Sequence, residues 1–144
     1  MAKKQYTIIK SSSTLDTYTE YELIESPGIV SLKNVENRGL ICVGSWVKYR
    51  TVDNSGNEIT CVSVQDANTG DVFSGQSSTF IESFENIVDR VSDMDEVPEM
   101  FFIEILHRTS KSGRDYIICA LVSPDRALAR MGYSEKNIPM PEQK

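Results

Sequence analysis

The strongest constraint on this chain is the alternating run at residues 40–52, LICVGSWVKYRTV, followed at once by the turn-forming stretch Asp53-Asn54-Ser55-Gly56-Asn57. Successive side chains of a strand point to opposite faces. In this run Ile41, Val43, Val47 and Tyr49 therefore share one face, and Trp46, Lys48 and Arg50 share the other. The first set is a core face. The second places an aromatic ring beside two cations, and a strand that merely faces water has no need of that combination. The polar turn then sends residues 58–65 back as a hairpin partner.

Around this hairpin the remaining elements read mostly as strands. Residues 16–25 mix Thr, Tyr, Leu and Ile with charges, as a half-exposed strand does, and Ser26-Pro27-Gly28 ends them. A short strand is expected at 71–75, then strands at 100–108 and 115–122 joined by Ser110-Lys111-Ser112-Gly113. Between the third and fourth strands lies one convincing helix. Thr79 with Glu82 gives a capping box, and Phe80, Phe84, Ile87, Val88 and Val91 recur on one side. A further short helix is read at 125–131. This order predicts a mainly β fold with one central helix, an OB-like five-stranded barrel carrying its helix between strands 3 and 4, the alternative being another small α+β sheet that takes in the short strand near Val72 and the N-terminal arm.

With 144 residues, 40% of them hydrophobic, the chain can fill one core but not two. One domain is expected over 15–132, with a flexible N-terminal arm at 1–14 and a flexible tail at 133–144. No run approaches the ~20 apolar residues of a membrane span, and lysines interrupt the N-terminus too soon for a signal peptide. A cytoplasmic location is the expectation. Cys42, Cys61 and Cys119 are odd in number and lie in apolar runs, which suits buried thiols rather than a disulfide framework or zinc site.

The net charge of −6 is concentrated. Glu82, Glu85, Asp89, Asp93, Asp95, Glu96 and Glu99 stand against Arg90 alone, so this stretch carries the whole excess and the remainder is neutral. Arg108, Lys111 and Arg114 cluster about one turn. The pattern predicts a polarised molecule with an acidic pole and a modest basic surface.

Catalytic signatures are weak. His107 is the one histidine and has no nucleophile beside it in sequence. Residues 53–58 lack the spacing of a calcium loop, and residues 110–114 lack the glycines of a P-loop. The acids at 93, 95, 96 and 99 read as a solvated loop rather than a metal site. No enzymatic activity, cofactor or metal is expected. Binding is better supported, because single-stranded nucleic acid is held by rings that stack on bases and cations that follow phosphates. Trp46, Lys48 and Arg50 offer that pairing if Trp46 is on the surface, the alternative being a Trp that closes one end of the barrel; Phe102 extends the platform, and Arg108, Lys111 and Arg114 are candidate phosphate clamps. Nothing here separates DNA from RNA.

Two stretches, Gly70-Asp71-Val72-Phe73-Ser74-Gly75-Gln76-Ser77-Ser78-Thr79-Phe80-Ile81 and Ser110-Lys111-Ser112-Gly113-Arg114-Asp115-Tyr116-Ile117, resemble small single-stranded-DNA-binding proteins of phages and mobile elements of Gram-positive bacteria. The resemblance implies an OB-like fold, coating of displaced strands during replication or recombination in a bacterial host, and backbone contacts from Lys111 and Arg114. It also implies replication proteins as partners, although the tail Pro141-Glu142-Gln143-Lys144 lacks the acidic ending through which such proteins often recruit them. A homodimer formed through residues 3–10 fits the same class. The alternative is an acidic phage-type inhibitor that engages a host protein through the 82–99 pole.

Overall fold

The computed structural model describes residues 6–12 and 15–131. In chain order they form β1 (Tyr6–Ser11), α1 (Thr17–Ile24), β2 (Val30–Ser31) with a 3-10 turn at Leu32–Asn34, β3 (Gly39–Val52), β4 (Glu58–Asp66), β5 (Val72–Gly75), α2 (Ser78–Ser92), β6 (Phe101–Thr109), β7 (Asp115–Val122) and α3 (Pro124–Arg130). The strands build one curled mixed sheet in the order β2-β5-β4-β3-β6-β7, with β1 also paired to β3. All pairs are antiparallel except β2 with β5.

The long strand β3 holds the sheet together because one of its edges serves two partners in turn. Residues Gly39 to Val43 pair with β6, and Val47 to Thr51 pair with β1. Between them the register against β4 slips by one, from Val43 opposite Asp66 to Ser45 opposite Gln65, which leaves Gly44 as an extra residue. A side chain there would be crowded, since a Cβ on Gly44 would lie 3.1 Å from that of Ala67. The bulge also shifts the side-chain phase of the strand. Ile41 and Val43 before it, and Trp46 after it, all face α2. Val47 and Tyr49 therefore point to the opposite side.

Two hydrophobic clusters result, one on each face of the sheet. The inner one packs Phe80, Phe84 and Val88 of α2 against Val43, Val62, Ile103 and Ile105. The outer one joins Leu23 and Ile24 of α1 to Val47, Tyr49, Cys61 and Val72, with Tyr6 of β1 against it. One domain thus holds two clusters by sharing β3 and β4 between them. All three cysteines are buried and none is in a disulfide. No helix among the described residues is long and apolar enough to cross a membrane.

The sheet is a half-barrel whose β2–β5 and β7 edges do not pair. Helix α2 lies along the gap and satisfies the β7 edge with side chains. Thr79 Oγ1 donates to the Ile117 carbonyl at 3.0 Å, and Ser83 Oγ accepts from the Cys119 N–H at 3.0 Å. Covering an edge in this way prevents strand addition there.

Several expectations from sequence need correction. Residues 16–25 are mainly helix, not strand: Asp16 caps α1 by accepting from the Thr19 N–H, and the helical turn brings consecutive Leu23 and Ile24 together into the outer cluster. Part of the arm expected to be free is β1, seated on β3. The described sheet has seven strands rather than five. The α2 cap is Ser77, which accepts from the Phe80 N–H, and Thr79 serves the sheet edge instead. Hairpins at 53–57 and 110–113 and the short helix α3 form as expected. The tail at 133–144 lies outside the described residues.

Candidate nucleic-acid interface

The structure divides the seven candidate residues into two groups. Trp46 is only 7% exposed and meets Phe84 edge-on, with ring centroids 5.5 Å apart and planes at 76°. Its indole is therefore too covered to stack flat on a base. Lys48, on the same side, is half-buried and gives its Nζ to Glu85 Oε2 of α2 at 2.8 Å. Arg50 is exposed and lies 3.7 Å from Glu58 of the neighbouring strand. The expected Trp46-Lys48-Arg50 platform is thus broken up: Trp46 is covered by α2, Lys48 is paired to it, and Arg50 alone is exposed, beside Glu58. The cause is the Gly44 bulge, and an isolated glycine inside an alternating run is the sequence signal for it.

Phe102 lies half-buried on the other face of β6, opposite Val122, so it cannot extend a platform built on Trp46. The basic group at the far hairpin behaves differently. Arg108, Lys111 and Arg114 are exposed, and none of them forms an ion pair among the described residues. The tight turn presenting them closes with the Ser110 N–H donating to the Arg114 carbonyl at 2.8 Å, and Gly113 supplies the left-handed conformation at φ 88°.

Arg114 also lines a groove that sequence reasoning did not find. This groove, about 550 Å³, is bounded by Lys33, His107, Arg114, Tyr116 and the first residues of α2, Ser77 to Thr79. A second depression of about 500 Å³ continues it along the open seam and shares Lys33, Ser77 and Ile117. Lys33 is brought here by the 3-10 turn, which begins where the Ser31 hydroxyl accepts the Lys33 N–H. Nothing local in the sequence marks Lys33, because its neighbours in the groove lie more than forty positions away. The positive end of the α2 dipole opens on the same space, so cations and unpaired backbone N–H groups converge there.

The polar groups lining this seam are mostly committed to structure. His107 Nε2 lies 2.6 Å from the Val35 carbonyl, which can only accept, so that nitrogen carries a proton. The Asp115 carboxylate, the acid in the groove wall, accepts from the Thr109 hydroxyl at 2.9 Å. The hydroxyls of Ser77 and Thr79 serve the helix cap and the β7 edge. Among the described residues no group of three or more His, Cys, Asp or Glu side chains comes together as a metal site. What remains available to a ligand is positive charge, the half-buried Tyr116 ring and the helix terminus. That combination suits an anionic ligand.

The charge expected at the other pole is also in place. Strand β6 separates the 110–113 turn from the acidic loop at 93–100 by about 30 Å, at ~3.3 Å per residue. Helix α2 runs between the same two ends, its N-terminus beside the cations and its C-terminus beside the acids. Comparison with family models, with characterised proteins and with solved structures gives no match to this chain.

Proposed function

We propose that the protein binds single-stranded DNA, with the phosphate backbone following the basic end of the half-barrel. The observation that carries this reading is that Lys33 and Arg114 line one groove, with Arg108 and Lys111 on the hairpin beside it, and that none of the four is in an ion pair among the described residues. Tyr116 supplies a ring on which a base can stack, and stacking tolerates any base, RNA included. The strand path β5-β4-β3-β6-β7, with α2 between β5 and β6, supports an OB-like barrel left open at its last pairing. In such barrels the face of the second and third strands and two loops bind oligonucleotides. Here α1 packs over the β4–β5 face, which leaves the 110–113 loop as the available element. The sequence resemblance gives the activity a setting, the coating of displaced strands during replication or recombination.

The test is anisotropy of a labelled single-stranded oligonucleotide titrated with protein at several salt concentrations. Three or four phosphate contacts give a log-log salt slope of roughly −2 to −3, at about −0.7 per contact for single strands. Reversing charge at Lys33, Lys111 and Arg114 together should abolish binding at moderate salt, while Lys48→Gln, whose ammonium is already paired with Glu85, should change it little. No complex at low salt, or binding unchanged by the triple reversal, would refute the proposal.

A further inference from the structure

A second groove lies at the acidic end, independent of the basic seam. Where β6 leaves the edge of β3 and β1 takes over, the Gly44 bulge opens a depression of about 480 Å³. Trp46 and Phe101 form its apolar floor, Val88 and Val91 of α2 form one wall, and Val97 and Pro98 form the lip. The lip carries unusual apolar exposure: Val97 is 59% exposed, Met100 48% and Met94 41%. Three large apolar side chains on one eight-residue loop cost solvation that a purely solvated loop would not incur.

The charge around this depression is equally unfavourable in the isolated chain. Asp93 caps the C-terminus of α2, and Asp95, Glu96 and Glu99 follow on the same loop. Each adds negative charge near the negative end of the helix dipole, where cations are preferred. None of the four forms an ion pair among the described residues. Lys10, on the opposite rim, is directed to Asp89 at 3.8 Å. The depression thus joins an apolar floor to a rim that includes Lys10, Glu99 and three serines, and Asp93, Asp95 and Glu96 stand unmatched on the adjoining loop; exposed apolar groups beside unmatched like charge break two local rules at once, and such violations gather at functional surfaces.

We infer that this groove docks a short basic segment of a partner protein, one that seats an apolar side chain between Val97 and Trp46 and sets lysines or arginines against Asp93, Asp95, Glu96 and Glu99. Charge complementarity decides the class of occupant. A nucleic acid would be repelled here, and a second copy of this chain would bring its clustered cations only through the Arg108–Arg114 hairpin, which the strand-binding reading already commits to nucleic acid. The apolar anchor provides affinity and the acidic rim provides selection and orientation. Both ligands can be held at once, because the basic seam lies at the other end of α2. A protein bound here could be carried to a coated strand without competing for it.

The test is an amide-shift titration of the full chain with a short peptide of alternating lysine and leucine. Two matched peptides serve as controls, one with serine replacing leucine and one with glutamate replacing lysine. The expected result is that the first peptide shifts the Trp46 indole N–H and the amides of residues 10–12, 94–97 and 99–101. Affinity should fall about tenfold or more for the serine peptide and for the double variant Val97→Ser with Met100→Ser. Both substituted residues are exposed, so the variant should fold. Asp93→Asn, Asp95→Asn and Glu96→Gln together should abolish binding and leave the oligonucleotide complex intact. Equal binding of the serine peptide would reduce the surface to bare charge and overturn the groove. Shifts spread over residues 82–89 without Trp46, or no binding at millimolar peptide, would overturn it as well.

Discussion

At the scale of single residues, Gly44 and Trp46 decide which face of β3 does what. An extra residue in one strand of a ladder turns every later side chain over. Trp46 thereby joins Ile41 and Val43 under α2, and its indole fills space that the Phe84 and Phe101 rings border. Trp46→Ala should cost about 3–5 kcal/mol, the usual loss for emptying a buried aromatic site, seen as a lower urea midpoint. Oligonucleotide affinity of the folded variant should be unchanged, because the ring is remote from the basic seam. A large loss of affinity in a folded Trp46→Ala protein would restore it to the strand-binding face. Glu104 illustrates a different balance. Burial pushes its carboxyl up, yet hydrogen bonds and charge from Arg130 and Arg38 outweigh this and hold it below its ordinary value.

At the scale of elements, α2 both covers the inner core and guards the β7 edge. Ser83 is central to guarding that edge, because its hydroxyl donates to the Phe80 carbonyl at 2.8 Å and accepts the Cys119 N–H at 3.0 Å. Ser83→Ala would leave that buried N–H unmatched, and a loss of about 1–3 kcal/mol is expected in denaturant titration. Adding Thr79→Val would also release the Ile117 carbonyl, and the freed edge should then self-associate, visible as an earlier-eluting species on size exclusion. A double variant that stays monomeric would show that another feature protects β7. Helix α1 is the element least legible in the sequence. Thr, Tyr and Ile in TYTEYELI favour a strand by composition, and Asp16 with Thr19 is a weak N-cap signal beside that bias. Burial of adjacent Leu23 and Ile24 outweighs the bias, and no local pattern announces which neighbours a segment will meet.

At the scale of the whole molecule, burial ties stability to pH on the alkaline side. Burial pushes the Cys119 thiol up to about 11, against a hydrogen bond from Ser83 that lowers it, and burial likewise pushes the Tyr49 hydroxyl up to about 12. Unfolding lets these groups ionise nearer their ordinary values, ~8.5 for Cys and ~10 for Tyr. Stability from keeping them neutral is therefore complete below about pH 8.5 and is lost progressively as pH rises toward 11 to 12. The denaturation midpoint should fall over that window, and a flat profile would show that both groups reach solvent. The sequence by itself determined the β-rich class, the α2 helix with its apolar face, the hairpins at 53–57 and 110–113, and the separation of acids from the basic turn. Each of these follows from periodicity, turn chemistry or charge within a short stretch of chain. Only the tertiary structure decided that Trp46 is inside, that Lys33 joins Arg114, that α1 covers the outer face while β1 pairs with the edge of β3, and that the half-barrel stays open along a seam. Those depend on which distant segments meet and on one unpaired glycine that shifts the phase of a strand, and both are properties of packing.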